Sequence, residues 1–456
     1  MNTLIRGNDT PFVELSKHCN GCYIQPGRGF ILDRRAIRAW MMYDWANSAF
    51  ATTMLAAVLP IFYFEVAGIN LKGDLAASYW GYTQSIALIL VAIMAPLLGA
   101  VADLSGSKLR FLRLFATFGI LASALFVFVD EGDYVLASFL MIVGMIGFSG
   151  GNTFYDSMLT DLVSTDQRDM VSSKGFTMGY VGGGILLAIN LLMIRRPGLF
   201  GLDSGLQGTY AAFLSVAVWW YIFSRPIFRR VGPFLLKSNL QLTFGEYVVA
   251  GAKRLARTLR SIKYYPELLK YLIAFWLFSD GINTVIAMAT IYGKTIGIET
   301  SHLIIALLIT QFVGIPFTLL FGKIAVKLGS KRSLYITLST YVGIVMLGYF
   351  MQNATHFYML AVMVGMVQGG SQAIARSIFS RLVPQTQSAE FFGFLSVSSK
   401  FSSSFGPFVF GIVGQITGSA RYGILALLLF FIAGILMLIT VNLAKGEREA
   451  IVLEEL

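Results

Sequence analysis

Tyr43–Ser48 (YDWANS) is a polar stretch inside an apolar segment, and Ser279–Thr284 (SDGINT) repeats its pattern about half a chain later. Each stretch places an Asp and an Asn three residues apart, which puts both side chains on one face of a helix. An ionisable side chain in a membrane-crossing segment is costly, so it usually faces a protein interior or a water-filled cavity. The repeat therefore predicts two related halves around a central cavity, which is the layout of a secondary transporter.

The composition indicates a helical membrane protein. The 456 residues have a mean hydropathy of +0.70, and 13% of them are charged, about half the share that is usual in soluble domains. Only helices and closed barrels satisfy the backbone inside a bilayer. The apolar runs approach the ~20 residues of a spanning helix and do not resemble the ~10 alternating residues of a barrel strand. The sequence therefore predicts an all-α membrane protein.

The apolar runs predict twelve spans in two pseudo-symmetric bundles of six helices. We place the spans at residues 40–65, 77–102, 111–129, 134–160, 173–194, 209–224, 269–293, 302–326, 334–351, 357–380, 392–416 and 421–443. The predicted organisation is a cytoplasmic N-terminal arm (1–37), a first bundle (38–224), a cytoplasmic linker (225–268), a second bundle (269–444) and a cytoplasmic tail (445–456).

The basic residues predict the orientation. Most of the 35 Lys and Arg fall on one side of these spans, and those on the other side are Lys72, Arg195, Arg196, Lys294 and Arg421. Positively charged loops stay in the cytoplasm, so we expect a multi-pass protein of an inner or plasma membrane with both termini cytoplasmic. The net charge of +11 then reflects topology and attraction to anionic membrane lipid, and no nucleic-acid partner is predicted.

The N-terminal arm and the linker carry two weaker signals. Cys19 and Cys22 form a lone C-x-x-C pair after His18, and metal or redox chemistry would need more ligands or a folded context. We predict a loose, reduced pair, with no metal and no cofactor. The arm lacks an apolar core, so it does not resemble a cleaved signal peptide. The linker segment 240–269 mixes basic and apolar residues, which suits either a helix on the membrane surface or a plain basic connector.

A glycine–aspartate–basic motif follows the second predicted span. Its glycines permit close helix approach and a tight reversal, and its Asp can pair with cations, so the cluster could hold helices together in one conformational state. The motif residues are Gly99, Asp103, Gly106, Lys108 and Arg110. A counterpart follows the eighth span at residues 322–332, where Val326 replaces the Asp, and this second copy is predicted to keep the turn without the full latch.

Together these residues resemble the major facilitator superfamily over about residues 38–445. Tyr43–Phe50 looks like the opening signature of its "unknown major facilitator" branch, which includes fungal vacuole-effluxer proteins linked to autophagy, and the stretches 152–162, 171–175 and 179–184 match the same branch. The resemblance implies alternating-access transport without an ATP site. For the vacuolar relatives it implies export of amino acids, leucine among them.

In this fold the first helix of each three-helix repeat is expected to face the cavity, and those helices carry most of the unusual polar residues. The candidates for substrate or proton binding are Asp44, Asn47, Asn152, Tyr155, Asp156, Asp280, Asn283, Gln372 and Arg376. Aligning the ends of the fourth and tenth spans places Asn152 opposite Gln372 and Asp156 opposite Arg376. We therefore predict that Asp156 and Arg376 face one cavity as partners, or as clamps for a zwitterion, while an Asp receives an ammonium group or a proton.

Structural interpretations stay open for the same residues. Asp44 could anchor the start of its helix, Asp156 and Arg376 could form a purely structural pair, and the amides could simply join helices through hydrogen bonds of about 1 kcal/mol each. The favoured function is a proton-coupled secondary transporter of an amino acid or similar zwitterion, acting as a monomer. The alternatives are an exporter of drug-like or lipid-like amphiphiles and a membrane sensor that moves nothing. An enzyme is not predicted, because no nucleophile–base set lies in the spans.

Overall fold

A computed structural model describes residues 34–71, 75–235, 243–261 and 265–454, and within them twelve helices correspond to the twelve predicted spans, with further helices in the linker and at Leu443–Glu454. Within these ranges the chain contains no strand. The predicted Cys19–Cys22 pair lies outside the described residues. We number the helices α1 (Arg34–Ala57 with Leu59–Ala67), α2 (Leu75–Ser105), α3 (Lys108–Leu125), α4 (Tyr134–Leu162), α5 (Arg168–Arg195), α6 (Gly205–Arg230), α7 (Pro266–Thr295), α8 (Thr300–Leu328), α9 (Ser330–Tyr349), α10 (Ala354–Leu382), α11 (Ser388–Thr417) and α12 (Ala420–Ile439).

Most of these helices are long and apolar enough to cross a membrane. Among the described residues, nine helices have the length and hydropathy of a membrane span. Helix α1 would be a tenth if its two bent parts form one span. The two others, α9 and α11, fall outside this set. Helix α6 continues to Arg230, beyond the predicted end at residue 224, even though Pro226 lies inside it. Helix α7 begins at Pro266, three residues earlier than the sequence predicted.

Helix α1 bends by 43° where its backbone widens into π-helical turns. Extra residues in a turn are a known cause of sharp helix bends. Two side chains of the first widened turn are tied to α5: Thr52 donates to the Gly183 carbonyl at 3.2 Å, and Thr53 accepts from Asn190 at 3.1 Å. The widened stretch Phe50–Ala57 therefore separates the segment that carries Asp44 and Asn47 from the bend, which lies at the break between Ala57 and Leu59.

Two separate clusters of buried side chains form the cores of the two bundles. The first includes Trp40, Phe213 and Trp220 and belongs to α1–α6, and the second includes Tyr341 and Phe431 and belongs to α7–α12. Each bundle thus buries its own apolar side chains, as the sequence predicted from two groups of six spans.

Helices cross between the bundles at positions where glycine allows close approach. A Cβ on Gly99 of α2 would lie 2.3 Å from the Ala389 carbonyl oxygen of α11, and one on Gly393 of α11 would lie 2.6 Å from Cα of Pro96 in α2. A Cβ on Gly322 of α8 would lie 2.7 Å from the Ser173 side chain of α5. These glycines permit the α2–α11 and α5–α8 contacts that join the two halves.

A helix occupies the predicted linker, at Phe244–Ser261; we call it the linker helix. Thr243 and Glu246 cap its start, because the Thr243 backbone N–H donates to the Glu246 carboxylate at 2.7 Å. This bond and one from the Thr243 hydroxyl lower the pKa of the Glu246 carboxyl. Farther along, Arg254 donates to Glu390 of α11 at 3.2 Å and to the Thr386 carbonyl at 2.9 Å. The linker helix is therefore fastened to the second bundle, and its contact with a membrane surface stays a prediction.

Gly147 offers a direct test of close packing inside the first bundle. A Cβ at this position in α4 would lie 2.3 Å from the Gly119 backbone nitrogen of α3, and backbone atoms cannot move aside as a flexible side chain can. We expect Gly147→Ala to destabilise the protein by about 1–3 kcal/mol, the usual cost of overpacking. Thermal unfolding of the purified protein in detergent measures the effect.

Gly343→Ala is the matched control, because no heavy atom lies within 4 Å of a Cβ built at Gly343 in α9. Its melting temperature should equal or exceed that of the unchanged protein, since alanine favours helix over glycine. Equal melting temperatures for the two variants would contradict the close packing of α3 on α4.

Candidate functional site

The Arg376 guanidinium of α10 lies against the opposite bundle and bonds to three of its helices. Its Nη1 donates to Asp156 Oδ1 of α4 at 2.8 Å, and its Nη2 lies 3.4 Å from Asp44 Oδ2 of α1. Toward α5, Nε donates to the Ser172 hydroxyl at 2.9 Å and Nη2 to the Ser172 carbonyl at 3.0 Å. The structure therefore brings Asp44, Asp156 and Arg376 together across the interface between the bundles.

Aromatic rings surround this guanidinium. Its central carbon lies 4.4 Å from the ring centroid of Phe176, 4.9 Å from that of Trp40 and 5.6 Å from that of Tyr155. Such cation–π contacts contribute about 2 kcal/mol each where water is excluded. The Tyr155 hydroxyl also donates to Asp44 Oδ2 at 2.7 Å, and the Trp40 indole donates to the Tyr155 carbonyl at 2.9 Å. Tyr155 thus both encloses the cation and orients one of its carboxylates.

Gly175 of α5 leaves the space that this cluster occupies. A Cβ there would lie 2.6 Å from Asp44 Oδ2 and 3.1 Å from both Arg376 Nη2 and the Trp40 ring. Four residues of this cluster were not among the predicted site residues: Trp40, Ser172, Gly175 and Phe176. Ser172 and Gly175 lie in a stretch that resembles the branch signature, so that resemblance held a signal for them, whereas Trp40 and Phe176 looked like ordinary apolar residues.

The three charged side chains differ in exposure. The Asp156 side chain is 27% exposed, against 11% for Asp44 and 5% for Arg376. Asp156 is therefore the member of the cluster that solvent reaches most easily. Asp44, by contrast, is held both by Arg376 and by the Tyr155 hydroxyl.

A second polar contact lies one helical turn away. The Asn47 side-chain amide of α1 donates to the Asn152 side-chain oxygen of α4 at 2.5 Å. Asn47 follows Asp44 by three residues and Asn152 precedes Asp156 by four, so the amide pair and the charged cluster lie on the same faces of α1 and α4. Asn47 and Asn152, two of the three predicted Asn residues, thus lie beside the charged cluster in the first bundle.

The acidic residue of the second Asp-x-x-Asn stretch bonds to a backbone group of its own bundle. Asp280 is buried in α7, and its Oδ1 accepts the Gly406 backbone N–H of α11 at 2.9 Å, within the second bundle. Asn283 of α7 and Gln372 of α10 are half-buried. Arg376, rather than a residue of α7, makes the described bonds between the second bundle and this cluster, and a cavity shared by both Asp-x-x-Asn stretches stays a prediction.

The first motif forms a set of contacts between the bundles, which we call the first latch. Asp103 accepts the backbone N–H groups of Ala389 and Glu390, at 3.2 and 2.9 Å, at the start of α11. Lys108 of α3 donates to Asp161 of α4 at 2.9 Å and to the Ser388 hydroxyl of α11 at 2.6 Å. Burial makes these bonds strong, because water cannot compete for their charged partners.

Three other motif residues have different positions. Gly99 permits the approach of α11, as described above, and Gly106 adopts φ +61° in the tight turn between α2 and α3. Arg110 is exposed, so the structure does not place it with the buried groups of the first latch. Asp103 and Lys108 thus make the first latch, Gly99 and Gly106 allow the backbone geometry around it, and Arg110 lies outside it.

A second latch forms at the counterpart motif, although Val326 replaces the acidic residue and is exposed. Asp169 at the start of α5 supplies the missing carboxylate from the opposite bundle. It accepts from the Ser330 hydroxyl of α9 at 2.7 Å and pairs with Arg381 of α10 at 2.6 Å. The prediction of a kept turn without a full latch is corrected on this point, since a different acid closes the second copy.

Both latches lie at the end of the molecule where α1 begins and α12 ends, and we call this the latch end. Helices α2, α4 and α10 end there, and α3, α5 and α11 begin there. The bundles are therefore joined at the latch end in this conformation. Among the residues that the structure describes, no group of three or more His, Cys, Asp or Glu is placed to hold a metal ion.

Comparison with known proteins identifies the family. The model of the family described as "Vacuole effluxer Atg22 like" matches residues 32–451. The chain is 33% identical over 404 residues to the MFS-type transporter YxiO of Bacillus subtilis, covering 88% of this chain and 93% of the relative. It is 23% identical over 475 residues to autophagy-related protein 22 of Eremothecium gossypii, covering 91% of this chain and 92% of the relative.

A solved structure agrees on the fold. The proton:xylose symporter XylE of the major facilitator superfamily matches with a TM-score of 0.66 and 16% identity, covering 92% of this chain and 97% of that one. At this identity the match concerns the fold alone. With the family match over most of the chain, it leads to one conclusion: the chain belongs to the vacuole effluxer Atg22-like family of the major facilitator superfamily and is a multi-pass membrane transporter, not an enzyme.

Proposed function

We propose that this transporter moves a small zwitterion, with amino acids favoured, by alternating access coupled to proton movement. The observation that carries the proposal is the position of Arg376, which reaches from the second bundle to two carboxylates of the first. A zwitterion presents one carboxylate and one ammonium group, and this cluster presents a guanidinium and two carboxylates. The family described as vacuole effluxers suggests export, and import stays the alternative direction.

Substrate recognition follows from the geometry of the guanidinium. Arginine holds a carboxylate through two parallel N–H donors, so a substrate carboxylate can replace the Asp156 contact, which is the more exposed of the two. Asp156 would then be released from the guanidinium and left without a compensating cation. Asp44, held by Tyr155, would keep the guanidinium in place during the exchange.

Proton coupling follows from the same exchange. In the present structure one buried cation compensates two carboxylates. A carboxylate that loses its cation in a poorly hydrated site is costly to keep charged, and it can take up a proton instead. Substrate binding to Arg376 would therefore favour protonation of Asp156 or Asp44. Asp280, buried in α7, is a further candidate for a proton within the second bundle.

Alternating access would require the two latches to open. Their contacts join the bundles at the latch end, and rocking of one bundle against the other would break them. The concentration of basic residues in the linker supports a cytoplasmic latch end. The membrane is an inner or plasma membrane in this proposal, and a vacuole-like membrane is the alternative that the relatives suggest.

Arg376→Gln tests the substrate clamp. It should lower amino-acid counterflow in proteoliposomes about 100-fold or more. The substrate carboxylate would lose the two parallel N–H donors of the guanidinium, and Asp44 would be left without a cation. Arg376→Lys keeps the charge without the fork and should retain part of the activity. Thermal shifts with leucine and with its decarboxylated amine would show whether the carboxylate is recognised.

Arg421→Gln is the matched control, since this half-buried arginine of the same bundle donates to the Tyr349 carbonyl, away from the cluster. It should transport normally. Counterflow at the level of the unchanged protein in Arg376→Gln would discard the clamp, and counterflow of an amphiphile in place of the amino acid would favour the alternative cargo.

Asp156→Asn tests whether Asp156 carries the coupling proton. This variant should lose substrate-dependent proton movement, measured with a pH dye inside proteoliposomes, and should no longer accumulate substrate against its gradient. Exchange of substrate without net accumulation should persist, because Asp44 still compensates Arg376. Accumulation equal to that of the unchanged protein would rule out Asp156 as the coupling group, and the double variant with Arg376→Gln would show whether the two residues act as a pair.

Lys108→Gln tests the first latch. It removes the bond from Lys108 to Ser388 across the bundle interface and leaves Asp161 buried without its ammonium partner, which costs about 3–5 kcal/mol for a buried ion pair. Both losses favour opening at the latch end, where Asp161 can be hydrated. In a chain with both native cysteines replaced, Ser380→Cys should react about tenfold faster with an impermeant maleimide when Lys108 is changed. Ser380 is buried, and its carbonyl accepts from Arg168 across the bundle interface.

Arg110→Gln is the control for this experiment, because Arg110 is a basic residue of the same motif that is exposed. It should leave the labelling rate unchanged. Equal rates in the two variants would mean that Lys108 does not hold the latch end closed.

A further inference from the structure

A cleft of about 270 Å³ opens between α1 and α6 at the latch end. Arg38 of α1 and Arg225, Arg229 and Arg230 of α6 line it, and the rest of the lining is apolar, with no carboxylate. Within the described part of the chain, none of these four arginines takes part in an ion pair. Four cations that share one cleft repel one another, so the site favours an anionic occupant.

One of these arginines is already held in position. Arg225 Nη2 donates to the Tyr221 hydroxyl at 2.7 Å, and its guanidinium carbon lies 4.7 Å from the Tyr221 ring centroid. This contact keeps the side chain along the outer face of α6. An ordered guanidinium loses less conformational freedom when it binds a phosphate.

An apolar stripe continues from the cleft along α6. Leu214, Val218 and Ile222 are 47–49% exposed, and their four-residue spacing places them on one face of the helix. Arg225 and Arg229 follow on adjoining turns of the same helix. In a membrane-spanning bundle this face meets hydrocarbon, so the surface combines a basic head region with an apolar track.

We propose that this cleft binds the phosphate-bearing headgroup of an anionic phospholipid, with one acyl chain lying along the α6 stripe. Arginine forks match phosphate oxygens, and basic pockets between membrane helices suit acidic headgroups. Free phosphate shares the headgroup chemistry, but it would make no use of the apolar stripe. The site is separate from the Arg376 cluster, and the proposal does not depend on which substrate the transporter carries.

Native mass spectrometry of the purified protein with added phosphatidylglycerol or phosphatidylcholine tests the proposal. The unchanged protein should retain phosphatidylglycerol in preference to phosphatidylcholine. Arg225→Gln combined with Arg229→Gln should weaken phosphatidylglycerol binding about tenfold or more, since each basic residue near an anionic headgroup contributes about a factor of five. Both positions are exposed, and an unchanged melting temperature without lipid would confirm that the variant folds.

Lys323→Gln combined with Lys327→Gln is the matched control, because it removes two exposed positive charges from α8 near the same end of the other bundle. It should leave phosphatidylglycerol binding unchanged. An equal loss in both double variants would overturn the proposal in favour of general surface attraction. Displacement of phosphatidylglycerol by inorganic phosphate alone, or equal retention of phosphatidylcholine, would also overturn it.

Discussion

The buried guanidinium of Arg376 is the constraint from which the interface between the bundles follows. A cation with 5% exposure needs charged and polar partners, because removing it from water without them costs several kcal/mol. Asp44, Asp156 and Ser172 supply those partners from α1, α4 and α5, and Gly175 leaves the room that they require. Three helices of one bundle are thus held in register by one side chain of the other. The same arrangement gives a transporter a charged site that both bundles share.

The two latches carry charges of opposite sign at corresponding positions of the two bundles, and both still join the bundles. Asp161 ends α4 and pairs with Lys108, whereas Arg381 holds the corresponding position in α10 and pairs with Asp169. The acidic residue at this position in the first bundle and the basic residue at the same position in the second each pair with a residue of opposite charge. Closure at the latch end does not depend on an intact second motif, since the carboxylate can come from whichever bundle lies opposite. The linker helix adds a further connection through Arg254 and Glu390.

Much of the fold was readable because lipid imposes strong rules on sequence. Spans of about 20 apolar residues, separated by polar breaks, predicted twelve helices in two groups, whereas helix ends such as that of α6 were misplaced and the bend of α1 was not predicted. The pairing of Asp156 with Arg376 was also expected from the alignment of the fourth and tenth spans. Trp40 and Phe176 were missed, because an aromatic residue that encloses a cation looks the same in the sequence as one that packs in an apolar core.

The sequence by itself determined the class of protein, the number of helices and the identity of the charged residues that must avoid lipid. Hydropathy and helical period depend on residues that are close in sequence, so both can be recognised without knowledge of the fold. Only the tertiary structure decided which of those residues meet. Asp44 and Asp280 occupy equivalent stretches, yet the first lies against Arg376 and the second bonds to the backbone of α11. The difference arises because a side chain's partners depend on helix rotation and bend, such as the 43° bend of α1, and these are set by packing between distant segments.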